Sequence, residues 1–110
     1  MPDERFEVDF TRAAEKDLRS LRRWSTVVMR QLARLETGPD AGHALTGSLL
    51  GSRSLEFNLK GSGAYRAVYI TDPQRQIRTV FLIGPRVNIY CEAERRIRIL
   101  RKAGDIPDSQ

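Results

Sequence analysis

The sequence predicts an α+β domain: a small, mostly antiparallel sheet packed by an N-terminal helical hairpin and a C-terminal helix. Three observations predict it. Hydrophobic periodicity changes from two to about 3.6 and back only a few times, giving the order β, α, α, β, β, β, α. Strand-like and helix-like runs are segregated rather than alternating, the pattern of α+β rather than α/β proteins. The chain has 110 residues, enough for one domain, with a core expected over about residues 5–102 and a flexible tail over 103–110.

Each element has its own signal. Over Arg5 to Phe10, Phe6, Val8 and Phe10 alternate with Arg5, Glu7 and Asp9, which marks a half-buried strand. Thr11 is a good N-cap for a helix bearing Ala14, Leu18 and Leu21 on one face and running to about Trp24. Ser25 is placed to cap a second helix with Val28, Leu32 and Leu35, stopped by Gly38-Pro39. Two helices in antiparallel contact or one kinked helix both fit, with Trp24 at the hinge. Residues 38–53, rich in Gly and Ser, read as a long loop that carries His43 at the surface.

The second half is strand-rich. Ser54 to Lys60 turns Leu55, Phe57 and Leu59 inward and Glu56, Asn58 and Lys60 outward. Ala64 to Thr71 follows Gly61-Ser62-Gly63, with Tyr65 and Tyr69 expected to pack. Asp72-Pro73-Gln74-Arg75 suits a type I turn. Ile77 to Ile83 is β-branched and almost continuously apolar, as a central strand is, and Gly84-Pro85 ends it. A last helix over about Asn88 to Lys102 carries Ile97 and Leu100 beside the arginines 95, 96, 98 and 101.

Composition excludes several classes. The longest uncharged apolar runs, Thr79 to Pro85 and Ser25 to Met29, are far short of the roughly 20 residues a membrane helix needs. The first residues, with Asp3 and Glu4, lack a secretory pattern, so the expected location is cytoplasmic and no membrane partner is expected. One cysteine, Cys91, and one histidine give no zinc set, so neither metal nor cofactor is expected, and Cys91 is read as a small core residue. The net charge of +5 lies entirely beyond residue 50, because residues 1–50 hold eight basic and eight acidic side chains. Arginine outnumbers lysine sixteen to three. Guanidinium groups grip phosphate bidentately and stack on bases, so an anionic partner is one reading and a solvated basic face the other.

Gly63-Ala64-Tyr65-Arg66-Ala67-Val68-Tyr69, a short turn, then Phe81-Leu82-Ile83-Gly84-Pro85-Arg86 and Tyr90 at a helix start form a moderately specific signature. With the opening strand, Phe10-Thr11 and a helix ending in Leu18-Arg19-Ser20-Leu21, it resembles the RelE branch of the RelE/ParE toxins over about residues 5–100. The resemblance implies the RelE-like microbial RNase fold and the toxin of a type II toxin–antitoxin pair, held in a hetero-oligomer by a cognate antitoxin. RelE-like members cut messenger RNA, commonly on the ribosome and without metal. ParE-like members inhibit DNA gyrase and are not nucleases. A nucleic-acid-binding domain without toxicity is a third possibility at this stage.

Cutting RNA by internal attack requires a deprotonated ribose 2′-oxygen, charge stabilisation on the phosphate, and a protonated leaving oxygen. By resemblance, Arg66 and Arg86 are the phosphate-stabilising pair, and Tyr90 stacks on a base or orients the 2′-hydroxyl. RelE nucleases carry lysines on the strand before the Tyr-Arg motif, where this chain has Glu56 and Asn58, with Lys60 at the strand's end. The candidate substitutes are therefore Glu56 as general base or Lys60 as a displaced cation.

Overall fold

A computed structural model describes residues 5–104. The elements are β1 (Glu7–Phe10), α1 (Arg12–Ser20), α2 (Ser25–Leu32), β2 (His43–Ala44), β3 (Ser52–Leu59), β4 (Gly63–Asp72), β5 (Ile77–Pro85) and α3 (Ile89–Ala103). The strands form one five-stranded sheet in the order β1-β5-β4-β3-β2. It is mixed. Three pairings are antiparallel, and β1 runs parallel to β5 from Glu7↔Ile77 to Phe10↔Val80.

Two apolar layers hold the helices. On one face Ala14, Val28, Leu32 and Leu35 meet Leu55, Phe57, Leu59, Ala67, Tyr69 and Val80. On the other, Ile89, Ala93 and Ile97 of α3 meet Val68, Phe81 and Leu82. Each fully buried large apolar side chain contributes about 1.5–3 kcal/mol, so β3, β4 and β5 form the stable centre. Among the described residues no helix is long and apolar enough to cross a membrane.

The N-terminal helices differ in detail from the sequence reading. Thr11 caps α1 as expected, its Oγ1 accepting the Ala14 N–H at 3.1 Å. The helix stops at Ser20 rather than Trp24: the backbone tightens, the Leu21 N–H donating to the Leu18 carbonyl at 3.0 Å, and a 3-10 turn, Arg22–Trp24, follows. Ser25 is the first residue of α2 and makes no capping bond. Both helices pack on the sheet, α1 on β5 and α2 on β3, with Trp24 at the turn between them against the core.

The expected loop over 38–53 contains β2 and a 3-10 turn, Gly47–Leu49. His43 is exposed, opposite Ser54. Gly42 is needed where this segment crosses β3, since a Cβ there would lie 2.1 Å from the Ser54 carbonyl oxygen. β5 continues through Gly84-Pro85, which is possible because this end of β5 has no strand on its outer side. Asp72 organises the next turn as expected, its Oδ1 accepting the N–H groups of Gln74 and Arg75. Helix α3 runs to Ala103 and Gly104 caps it in a left-handed conformation; the rest of the expected tail lies outside the described residues.

Two residues contradict their sequence signals. Cys91 is exposed on α3, because the buried stripe of that helix falls on Ile89, Ala93 and Ile97. Arg78, inside the apolar run of β5, is 1% exposed. It donates to the carbonyls of Leu35 at 2.8 Å and Gly38 at 2.7 Å, pairs with Asp40 at 3.0 Å and lies over the Phe6 ring. Its side chain thus ties the chain after α2 to the sheet. Nearby, Tyr69 donates to the Ala41 carbonyl at 2.6 Å, and burial, then the Asp40 carboxylate, push its phenol pKa up.

Candidate functional site

The site is assembled by strand register. Glu56 on β3, Arg66 on β4 and Gly84 on β5 are directly opposite one another across the sheet. Leu55, Phe57 and Ala67 face α1 and α2, so alternation turns Glu56 and Arg66 to the face that carries α3. On β5 this alignment depends on a bulge. Val68 pairs with Leu82 but Tyr69 pairs with Val80, leaving Phe81 as the extra residue. Phe81 and Leu82 therefore both contact α3, and the side-chain parity beyond them is reversed. Gly84 consequently lies on the face of Arg66, to which it adds no side chain.

Arg66 is held from two sides. Its Nη2 lies 3.2 Å from Glu56 Oε1. Its Nη1 donates to the Tyr90 hydroxyl, and its guanidinium carbon is 5.2 Å from the Tyr90 ring centroid. The side chain is 15% exposed against 37% for Glu56, and Arg66 Nε is buried without a hydrogen-bond partner among the described residues. Tyr90, in the first turn of α3, is half-buried.

Arg86 and Lys60 lie at the same end of the sheet, outside this chain of contacts. The backbone N–H of Arg86 extends the β4–β5 ladder to the Ala64 carbonyl at 3.0 Å. Its side chain is exposed and makes no hydrogen bond or ion pair among the described residues. Lys60 is exposed immediately after β3. Between Arg86 and α3, Asn88 adopts φ 60°, a left-handed conformation that Asn tolerates better than most residues. The N–H groups of the first turn of α3 add positive partial charge at this end.

Of the five candidates, Glu56, Arg66 and Tyr90 are joined, while Arg86 and Lys60, at the same end of the sheet, are cations with no side-chain partner among the described residues. Sequence reasoning did not find Asp17 and Arg96. Arg96 stands in the sequence as one of four arginines on the last helix, yet its side chain is 15% exposed and bonds Asp17 at 2.7 Å. Burial opposes its charge, but hydrogen bonds with Asp17 and Glu92 outweigh that and raise its pKa. An acid on α1 matching a base on α3 carries no short-range signal.

The fold and this cluster define a small, arginine-rich α+β domain with cations, a carboxylate and a tyrosine gathered at one end of its sheet. No family model and no curated protein matches the chain. Solved structures do. The Escherichia coli toxin RelE with two arginines changed to alanine, in the free state, is 25% identical, with a TM-score of 0.64 over 84% of this chain and 98% of that one. The isolated E. coli RelE toxin is 27% identical, with a TM-score of 0.57 over 84% and 98%. A chain of the Mycobacterium tuberculosis RelBE2 toxin–antitoxin complex is 24% identical, with a TM-score of 0.61 over 76% and 94%. The M. tuberculosis likeness shows the shared fold, and the two E. coli toxins support the RelE-like toxin superfamily for this chain.

Proposed function

We propose that the chain is the toxin of a type II toxin–antitoxin pair and an endoribonuclease that inhibits translation by cutting mRNA on the ribosome. The observation that carries this reading is the Glu56–Arg66–Tyr90 contact chain beside the unpartnered Arg86, in a fold shared with RelE toxins. Solved relatives include RelBE toxin–antitoxin complexes, which supports a cognate antitoxin as the partner.

Arg86, exposed and unpaired among the described residues, is the primary donor to the scissile phosphate. Arg66 reinforces it when the phosphate displaces the Glu56 carboxylate from Nη2. The released carboxylate takes the proton from the ribose 2′-hydroxyl as that oxygen attacks phosphorus. The bond to the 5′-oxygen breaks, leaving a 2′,3′-cyclic phosphate, and the 5′-oxygen is protonated from the cationic side of the site, where Lys60 stands. Tyr90, oriented by Arg66, stacks on a base next to the cut. A general base is worth about 10²- to 10⁴-fold, and ribosomal positioning of the message supplies the in-line geometry.

The test is primer extension on reporter mRNAs after brief induction in a bacterial host, comparing a translated message with one lacking its start codon. New 5′ ends confined to the translated message are expected. Growth arrest without new ends but with loss of plasmid supercoiling would replace this reading with gyrase inhibition. Neither effect would leave a nucleic-acid-binding domain.

A further inference from the structure

β1 covers the outer edge of β5 only as far as Val80. Beyond it, two side chains occupy the place of a strand. Asp17 Oδ2, on α1, accepts the Ile83 N–H at 2.9 Å. Arg96 Nη1, on α3, donates to the Phe81 carbonyl at 3.0 Å. The two side chains also grip each other through Nη1 at 2.7 Å and Nη2 at 3.2 Å. Glu92, one turn before Arg96, accepts from its Nε at 2.8 Å. Helices on opposite faces of the sheet are thereby linked around its edge.

The link bears on the roll of α3 about its own axis. Ile89, Ala93 and Ile97 form the stripe of α3 on the sheet, and a stripe of this kind resists separation more than rolling. At 100° per residue, Arg96 and Glu92 fall on one flank of that stripe, while Tyr90, Glu94 and Arg101 fall on the other. The second flank is held by Glu94 to the Ser48 hydroxyl at 2.8 Å and by Arg101 to the Ser48 carbonyl at 3.0 Å, both exposed bonds. The Asp17–Arg96 pair is the better buried restraint, with side chains 17% and 15% exposed. A roll of about 10° moves a group about 6 Å from the helix axis by about 1 Å, and a misplacement of that size costs about 10²-fold in a catalytic geometry.

We infer that Asp17 and Arg96 are positioning residues: together they fix the roll of α3, and through it hold the Tyr90 hydroxyl on Arg66. Neither touches the substrate. Their effect on cleavage rests on the proposed role of Tyr90, whereas their effect on the place of Tyr90 does not.

The test is NMR of the full chain labelled at the tyrosine hydroxyl-bearing carbon, with Tyr90 assigned by Tyr90→Phe and the contact-lost position taken from Arg66→Ala. Asp17→Asn is expected to move the Tyr90 signal most of the way to that position, leave the buried Tyr65 and Tyr69 signals in place, and lower mRNA cleavage about 10- to 100-fold. Arg96→Lys keeps the charge but loses the fork, and is expected to move the same signal in the same direction. It decides the matter if Asp17→Asn does not fold. A folded variant of either kind with the Tyr90 signal at its wild-type position overturns the inference. A moved signal with unchanged cleavage upholds the positioning and removes Tyr90 from the chemistry instead.

Discussion

Arg66 and Tyr90, twenty-four positions apart in the chain, are hydrogen-bonded to each other and stacked with 5.2 Å between guanidinium carbon and ring centroid. Strand β4 supplies one and the first turn of α3 the other. Arg66 is therefore a strut as much as a ligand: it holds the tyrosine with one nitrogen and a carboxylate with the other. Under the proposed function this division leaves phosphate recognition chiefly to Arg86, whose side chain makes no hydrogen bond or ion pair among the described residues.

Arg86→Ala is accordingly expected to relieve growth inhibition and to lower mRNA cleavage about 10²- to 10³-fold, the usual cost of losing one well-placed donor to a developing anion. Affinity for the antitoxin, measured by calorimetry, should stay nearly unchanged. Full toxicity in this variant would remove Arg86 from the mechanism.

Glu56→Gln keeps an oxygen for Arg66 but cannot accept a proton. Single-turnover cleavage should slow by about 10²-fold or more, with little change in melting temperature because the ion pair it replaces is partly solvated. Wild-type rates in this variant would end the case for a carboxylate base and make Lys60→Ala the next substitution to measure.

Arg78→Met tests the buried arginine of β5. The substitution leaves the Leu35 and Gly38 carbonyls without this donor and removes the cation beside Asp40, which keeps the Thr71 hydroxyl. Urea unfolding should report a loss of about 1–3 kcal/mol for each buried carbonyl left unpaired. A loss below about 1 kcal/mol would mean that water replaces the guanidinium without penalty.

Glu92 gives the molecule an acid-sensitive joint. Hydrogen bonds from Arg95, then Arg96, lower its pKa from 4.5 to about 2. A depressed carboxyl pKa stabilises the fold above the unfolded value and ceases to do so as pH falls through about 2. Thermal melts between about pH 5 and pH 2 should therefore show a shallower decline for Glu92→Gln than for the parent. Parallel declines would show that the contacts on α3 do not persist in solution.

Much of the architecture was legible because it is local. Alternation placed Leu55, Phe57 and Leu59 inside and Glu56 outside, Thr11 announced its cap, and Asp72 its turn. What escaped depends on contacts between distant segments. The parallel pairing of β1 with β5 joins strands at opposite ends of the chain, and no run of residues encodes it. Phe81 reads as one more apolar residue of a central strand, although as a bulge it reverses the parity of everything after it. Arg78 interrupts the same run, and only the carbonyls after α2 explain why its charge is tolerated. At the site, the family motif named Arg66, Arg86 and Tyr90, but the pairing of Arg66 with Glu56 came from register, and the hold of Asp17 on Arg96 from the way two helices meet at an edge.

That edge has a consequence for the molecule among its own copies. Free N–H and C=O groups along a strand are a template on which another chain can add itself. From Phe81 to Pro85, β5 would offer such a template, but Asp17 and Arg96 occupy its Ile83 and Phe81 groups, and Pro85 has no N–H to give. At the opposite side of the sheet, β2 is two residues long and offers little to pair with. The ion pair that ties two helices together thus also occupies the edge groups on which a second copy would pair strand to strand.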